Sequence, residues 1–323
     1  MLYLTEQDVL RFLDMPRAIE LMRGAFAGLA DRQVVNHPRR RVVLPTGSVL
    51  HYMAAGDQRY FGAKVYSSNP KTGAHFLFLL YRSDDATPLA LIEANHLGQI
   101  RTGAASGYAT DILARKDAHR LAVLGSGFQA ETQVAAVAAV RRLTEIRVWS
   151  RNADRRQAFA ARLREMGLPQ AGAAESAEAA VRGSDILVTA TNSKDPVFEA
   201  EWVSPGTHIN ATGSNQARRR ELPAEILGRA ALIAVDSKEQ AEMESGDLLL
   251  AKAEGKWNGE GVIELADVAR RANPLDITIF KSNGLAIEDV TAAGWVYERA
   301  IAEGAGRALT PESAPAVQYP ATR

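Results

Sequence analysis

Apolar positions change their period twice along the chain. In the first thirty residues they recur at helical spacing. Val9, Leu10 and Leu13 follow Thr5 and Asp8, which read as a helix N-cap with an acidic first turn. Pro16 opens a second helix whose one face carries Ile19, Met22, Phe26 and Leu29. Short β-type runs then appear at 41–44, 49–53, 60–66, 75–81 and 88–93, with turn signals at 45–47, 55–57, 69–73 and 83–85. Punctuation this dense predicts a largely antiparallel or mixed sheet.

After about residue 116 the pattern becomes one of apolar strands alternating with helices. The strands are expected at 121–124, 146–149, 186–190 and 207–210, with helices at 129–142 and 153–166 and further strands at 232–235 and 277–280. That alternation predicts βαβ units and a parallel sheet. A closing helix at 286–305 is too long and apolar for a tail and is expected to return to the first unit. The expected fold is therefore α/β: a central parallel sheet with flanking helices over 116–285, and an α+β unit built from 1–115 plus 286–323.

The 323 residues carry 38 Lys plus Arg against 38 Asp plus Glu, so no basic excess points to nucleic acid. No apolar run approaches the roughly 18 to 20 residues that cross a bilayer. The N-terminus is acidic and polar within its first eight residues, unlike a secretory signal. Cysteine is absent, which excludes disulfides, thiolate nucleophiles and zinc-thiolate sites and suits a reducing cytoplasm, the expected location. There is no HExxH or GxSxG, and His37, His51, His75, His96, His119 and His208 share no metal-ligand spacing, so no metal is expected.

The clearest chemical signal is Gly125-Ser126-Gly127-Phe128-Gln129-Ala130, directly after a predicted strand and opening a predicted helix. Gly125 permits the tight turn, Gly127 lets the backbone approach a pyrophosphate, and Ala130 allows close helix–strand packing. The helix N-terminus offers free N–H groups to phosphates. This makes the central unit a Rossmann-type dinucleotide-binding domain, with Phe128 and Gln129 at the helix start beside the cofactor. Some 20 residues on, Ser150, Arg151 and Asn152 occupy the place where a carboxylate would bond both ribose hydroxyls of NAD. Ser150 suits a phosphate oxygen, and Arg151 suits adenine stacking and a 2′-phosphate, so NADP(H) is favoured over NAD(H).

Several segments together resemble the ornithine cyclodeaminase/mu-crystallin family. They are 38–44 followed by Met53, 62–65 followed by Asn69-Pro70, Arg-Thr-Gly-Ala-Ala-Ser at 101–106, the glycine fingerprint, Gly213-Ser214-Asn215 with Arg220-Glu221-Leu222, and Phe-Lys-Ser-Asn-Gly at 280–284 with Glu288-Asp289. They run in the family's order from about residue 5 to 305. The resemblance implies an N-terminal substrate and dimerisation domain, a central Rossmann domain and a returning C-terminal helix, in a homodimer acting on a small amino or imino acid. It also implies that Lys64, Arg40 and Arg101 hold the substrate carboxylate beside the nicotinamide. Thr102, Ala130, Thr191 and Arg219 would lie near the cofactor, with Arg101 at its edge, Asn210, Ala211 and Thr212 near the nicotinamide, and Asn283 closing the substrate pocket. Alternation along 39–41 puts Arg40 on the opposite face from Arg39 and Arg41.

One position departs from the family. The residue six before the Glu of the Arg-Glu-Leu segment is there a proton-handling aspartate; here it is Asn215. An amide orients by hydrogen bonds but takes no proton at neutral pH. Cyclodeamination needs several proton transfers, whereas reduction of a protonated imine needs chiefly hydride delivery and a carboxylate anchor. The resemblance thus points first to an NAD(P)H-dependent reductase of a ketimine such as Δ1-pyrroline-2-carboxylate or Δ1-piperideine-2-carboxylate, with Lys64 and Asn215 at the reacting centre. The alternatives are an alanine-type amino-acid dehydrogenase, an ornithine cyclodeaminase, and a non-catalytic NADPH- or ligand-binding protein.

Overall fold

A computed structural model describes residues 1–268 and 273–309. The stretch 310–323, expected to complete the first unit, lies outside the described residues. The strands in chain order are β1 (Leu2–Leu4), β2 (Val35–Asn36), β3 (Arg40–Val43), β4 (Val49–Gly56), β5 (Tyr60–Asn69), β6 (Gly73–Arg82) and β7 (Pro88–Glu93), then β8 (Arg120–Leu124), β9 (Glu145–Trp149), β10 (Ala171–Ala173), β11 (Ile186–Thr189), β12 (His208–Ala211), β13 (Ala230–Val235), β14 (Val262–Glu264), β15 (Ile277–Lys281) and β16 (Arg307–Ala308). The helices are α1 (Glu6–Phe12), α2 (Met15–Ala30), α3 (Asn95–Leu113), α4 (Phe128–Val140), α5 (Ala153–Glu165), α6 (Ala177–Val181), α7 (Ala224–Arg229), α8 (Lys238–Glu244), α9 (Gly246–Ala253) and α10 (Ala286–Glu303).

Two sheets divide these strands. The first runs β16-β1-β7-β6-β5-β4-β2, with β3 also paired to β4, and is antiparallel except where β1 joins β7. The second runs β10-β9-β8-β11-β12-β15-β13-β14, all parallel. Its chain order reverses direction on the two sides of β8, which creates the crevice at the strand C-termini where ligands bind in such sheets.

Local chemistry sets the element ends. Thr5 and Asp8 form a full capping box on α1, and Asp14 caps α2, which carries Pro16 in its first turn. Gly304, in the left-handed region at φ 63°, closes α10. The inner face of the first sheet packs with α1, α2, α3 and α10 in one apolar core that includes Phe26, Phe78, Ile92 and Val290. The second sheet has a core on each face, one built on Val123, Val134 and Phe159 and the other on Leu187, Ile209 and Ile233.

The 19-residue helix α3 is absent from the periodicity reading. It is enclosed by α2, α4 and α10, so small and apolar residues surround it and leave no polar stripe. Any side chain at Gly103 would meet the Thr132 backbone of α4, and one at Gly107 would meet Ile19 of α2. The two glycines are what let three helices cross this closely. They also place Arg101 at the junction of the two sheets.

Candidate active site

Two adjoining cavities lie at the C-terminal edge of the parallel sheet. The larger, about 580 Å³, opens around the turn between β8 and α4. Gly125 there has φ 121°, and a side chain on it would run into the Ala190 carbonyl, whereas Gly127 faces open space. Gly127 is the N-cap of α4 and supplies no side-chain cap, so the first-turn N–H groups remain available to an anion. This is a cradle that a larger residue would fill, and it fits a dinucleotide pyrophosphate.

Ser150, Arg151, Asn152 and Arg155 line the far end of that cavity, with no carboxylate among them. Ser126 Oγ donates to Ser150 Oγ at 3.0 Å, tying the glycine turn to the end of β9. Asn152 uses its Oδ1 to cap α5 through the Arg155 N–H. Thr191 and Asn192 form the opposite wall. Arg219 donates to the Asn192 carbonyl at 2.7 Å and braces the rim rather than lining the cavity. Ala130 is fully buried, and its small side chain packs against the sheet.

The second cavity, about 320 Å³, shares Phe128, Gln129 and Gly213 with the first. Its floor is the inner face of the first sheet. Lys64 stands there on β5, and one cross-strand row further along come Arg41, His51, Tyr66 and Phe76. The His51, Tyr66 and Phe76 rings stack at 4.2 and 4.4 Å. Burial, then the charges of Arg41 and Arg39, drive the His51 pKa down to about 4, so this imidazole is neutral. Thr102 also opens here and not onto the dinucleotide cavity; its hydroxyl donates to the Gly98 carbonyl at 2.7 Å.

Three buried cations line this cavity: Arg39, Lys64 and Arg101. Each is held from behind by a carboxylate. Lys64 Nζ lies 2.8 Å from Asp289 Oδ2, and Arg101 Nε donates to Asp289 Oδ1 at 3.1 Å. Arg101 also pairs with Glu288, and Arg39 with Glu244. Arg41 joins Glu244 at 2.6 Å and donates to the Asn215 carbonyl at 3.0 Å. Burial, reinforced by the neighbouring Arg101 charge and only partly opposed by Asp289, brings the Lys64 pKa down to about 8. Arg101 is opposed by burial too, but Asp289 and Glu288 outweigh it and hold the guanidinium charged.

Arg40 is a correction. It pairs with Tyr52 across β3 and β4, in the row that continues through Val65 and Leu77 on the outer face of the sheet. Its guanidinium reaches Met243 and neither cavity. The inward neighbour Arg39, 3% exposed, occupies the place expected of it. Asn210 and Ala211 are corrected as well. Both are fully buried in β12: Asn210 donates to Thr110 Oγ1 at 2.9 Å and Ala211 accepts from Lys281, so the cavity wall begins at Thr212.

Asn215 and Asn283 both line the second cavity. Asn283 is 5% exposed, and its Oδ1 and Nδ2 have no hydrogen-bond partner among the described residues. Gly284, at φ 82°, leaves room for the Arg101 guanidinium, which any side chain there would strike.

Residues to which the sequence analysis gave no role hold the wall in position. Lys281 is completely buried; it donates to the Ser214 carbonyl at 2.6 Å and lies 3.3 Å from Asp247 Oδ2. Asp247 accepts the N–H groups of Glu221 and Leu222 at 2.6 and 2.9 Å. Glu221 in turn accepts from Thr189 Oγ1 and the N–H groups of Thr191 and Gly213 at 2.6 to 2.9 Å. Burial, with Asp247 nearby, raises the Glu221 pKa against the pull of Lys281. Glu288 and Asp289 carry the one local signal, two acids heading a helix that then stays uncharged as far as Tyr297, just after the Lys-Ser-Asn-Gly turn.

Residues 1–304 match the model of the ornithine cyclodeaminase/mu-crystallin family. Over 228 residues, covering 69% of this chain and 70% of the relative, the sequence is 40% identical to a Delta(1)-pyrroline-2-carboxylate reductase of Bacillus cereus. The fold is similar to the Thermococcus litoralis Delta(1)-pyrroline-2-carboxylate reductase in complex with NADH and L-proline (TM-score 0.91, 34% identity, 96% of this chain and 100% of that one). It is similar also to an archaeal alanine dehydrogenase dimer with bound NAD (TM-score 0.90, 32% identity, 96% and 99%).

Proposed function

The chain belongs to the ornithine cyclodeaminase/mu-crystallin family, and we propose that it is an NAD(P)H-dependent oxidoreductase that reduces a cyclic ketimine carboxylate to an L-amino acid. The observation that carries this reading is the shared boundary of the two cavities. Phe128, Gln129 and Gly213 belong to both, so a carboxylate held at Lys64 and Arg101 lies beside the glycine turn.

When bound, the dinucleotide supplies a hydride at the nicotinamide ring. The protein's own part is binding and orientation. Arg101 and Lys64 fix the substrate carboxylate, with Arg39 on the same wall, and so aim the C=N carbon toward the first cavity. Lys64, with a pKa near 8, keeps its proton at neutral pH and can give it or share it at Nζ with the imine nitrogen. Asn215 has no proton to exchange and serves to orient. That favours reduction of a preformed imine over cyclodeamination.

The cofactor is a nicotinamide dinucleotide, and Ser150, Arg151 and Arg155 at the end of β9 favour NADP(H). The solved relatives carry NADH and NAD, so NAD(H) is the competing assignment. Residues 1–115 with 286–323 form the substrate and dimerisation domain in this reading, and 116–285 the dinucleotide domain. The outer face of the first sheet, with Val42, Leu50, Tyr52 and Leu77 exposed, is the surface for a second copy.

An assay panel tests the proposal: Δ1-pyrroline-2-carboxylate, Δ1-piperideine-2-carboxylate, pyruvate with ammonium, and ornithine. A cyclic imine should give the highest kcat/KM. Fastest turnover of pyruvate with ammonium would favour the second reading, an amino-acid dehydrogenase, to which the likeness to alanine dehydrogenase over 96% of the chain lends weight. Proline formation from ornithine with catalytic cofactor would overturn both.

A further inference from the structure

The four carboxylates behind the cationic wall are not equally satisfied. Asp236 accepts from Ser282 Oγ at 3.2 Å, from the Asn283 N–H at 2.6 Å and from the Gly284 N–H. Glu244 accepts from Arg39, Arg41 and Gln240. Asp289 takes the Lys64 ammonium and Arg101 Nε. Among the described residues Glu288 has one donor, Arg101 Nη1, and its Oε1 is buried with no hydrogen-bond partner; Asp289 Oδ2 accepts no hydrogen bond either, but it lies 2.8 Å from the Lys64 ammonium.

All four acids are at most 2% exposed. Facing them are Arg39, Lys64, Arg101 and, nearer the rim, Arg41. With all of them ionised these four cations and four carboxylates balance, and the Lys281–Asp247 pair, whose ammonium acts on Asp236, adds no net charge. A substrate carboxylate entering this enclosure makes the sum negative where dielectric screening is weak. The least costly relief is one proton, and it goes to the carboxylate with the fewest donors holding its ionised form.

We propose that binding of a substrate carboxylate at Arg101 and Lys64 is coupled to uptake of a proton by Glu288. This rests on the carboxylate-clamp reading given above. Glu288 then acts as a positioning residue through Arg101: ionised, it holds the guanidinium against α10; protonated, it releases part of that guanidinium to the substrate. The groups facing it are Arg101 from α3, Asp289 on its own helix and Asp236 after β13, with Lys64 of β5 across Asp289. Burial, then Asp236 and Asp289, already bring the Glu288 pKa up to about 7 against the pull of Arg101.

The test is calorimetric titration of the cofactor-saturated enzyme with pyrrole-2-carboxylate at several pH values, in buffers of different ionisation enthalpy. This flat anion has no group of its own that titrates near neutrality. At pH 7 uptake of about half a proton per site is expected, because a group with pKa about 7 is half ionised there. Lys64, near 8, would add only about a tenth at that pH. Glu288→Gln should bind with uptake cut to that small remainder. Buffer-independent heats at pH 7 would overturn the proposal, as would undiminished uptake in the variant. If the variant does not fold, the wild-type pH series still tests the proposal: uptake confined to pH above 7 belongs to Lys64 and overturns it, whereas uptake beginning below pH 7 comes from the buried acids, of which Glu288 has the fewest donors. Uptake below pH 7 that survives in Glu288→Gln would belong to Asp236, which burial raises too, and overturns the proposal. Absence of any binding would instead sink the clamp reading, and this proposal with it.

Discussion

Lys64 and Arg101 share one carboxylate: Asp289 Oδ1 accepts from the Lys64 ammonium at 2.9 Å and from Arg101 Nε at 3.1 Å, and its Oδ2 lies 2.8 Å from the same ammonium. The two cations are therefore fixed at one end of the cavity before any substrate arrives, and little side-chain entropy is left to lose on binding. Removing Lys64 leaves a hole at the anion site and no proton donor there. Lys64→Ala is expected to lower kcat/KM for the preferred imine about 10- to 150-fold, the size of a lost charged hydrogen bond of about 1.5 to 3 kcal/mol. Unchanged steady-state kinetics in that variant would move the assignment to a binding protein.

The pH profile follows from the same ammonium. Burial and Arg101 disfavour its charged form, so its pKa falls from 10.5 to about 8. If protonated Lys64 is the active form, kcat/KM for a cyclic imine should fall as pH rises through about 8, earlier than an exposed lysine would allow. Lys64→Arg, which cannot be deprotonated in this range, should remove that limb. An alkaline limb that survives in the Arg variant would assign it to another group.

How much of this was legible in the sequence depends on what each signal reports. The glycine fingerprint marks a backbone shape, and Gly125 and Gly127 stand where the motif requires. Alternation correctly separated Arg40 from Arg39 and Arg41 but could not say which face was inward. That is set by the cross-strand row joining Arg40 to Tyr52, Val65 and Leu77, a matter of long-range register. Helix α3 escaped because a helix enclosed on every side has no amphipathic stripe. The acids Asp236, Glu244 and Asp247 escaped for a different reason: each is an ordinary-looking polar residue whose burial is fixed only when α8, α9 and the β15 loop assemble. Glu288 and Asp289 do carry a local signal, as two acids at the head of a helix uncharged as far as Tyr297, but they entered the sequence analysis only within a family-like segment.

Cofactor choice turns on the end of β9. With Ser150 and Arg151 there and no carboxylate, NADPH should be preferred to NADH at equal concentration. Ser150→Asp combined with Arg151→Ala should lower the NADPH-to-NADH ratio of kcat/KM by at least about tenfold, since it removes a charged phosphate contact and adds a repulsive one. A wild-type enzyme that works better with NADH would refute the assignment directly.

The outer face of the first sheet offers a test of assembly. Val65 pairs with Leu77 in the row that contains Tyr52, and among the described residues Tyr52 and Leu77 of that row stay exposed. Leu77→Arg places a charge at its centre and should shift the protein from dimer to monomer in sedimentation equilibrium at micromolar concentration. Its fold should hold, because Leu77 is exposed and belongs to no core. A wild type that sediments as a monomer would remove this surface from consideration.

Lys281 and Asp247 make the sharpest stability test. The ammonium is buried at 0% exposure, 3.3 Å from an equally buried carboxylate, and it also donates to the Ser214 carbonyl beside Asn215. Lys281→Met keeps most of the volume but strands Asp247 as an uncompensated charge, expected to cost about 3 to 5 kcal/mol in denaturant unfolding. Asp247→Asn retains an oxygen for the Glu221 and Leu222 N–H groups while removing that charge. The double variant should therefore lose less than the sum of the two single losses, because neither buried charge is left alone. The loop that carries Thr212 to Asn215 would still lack its anchor, so activity should remain low after stability has partly returned. Full additivity of the two losses would mean that Lys281 and Asp247 are neighbours without being partners.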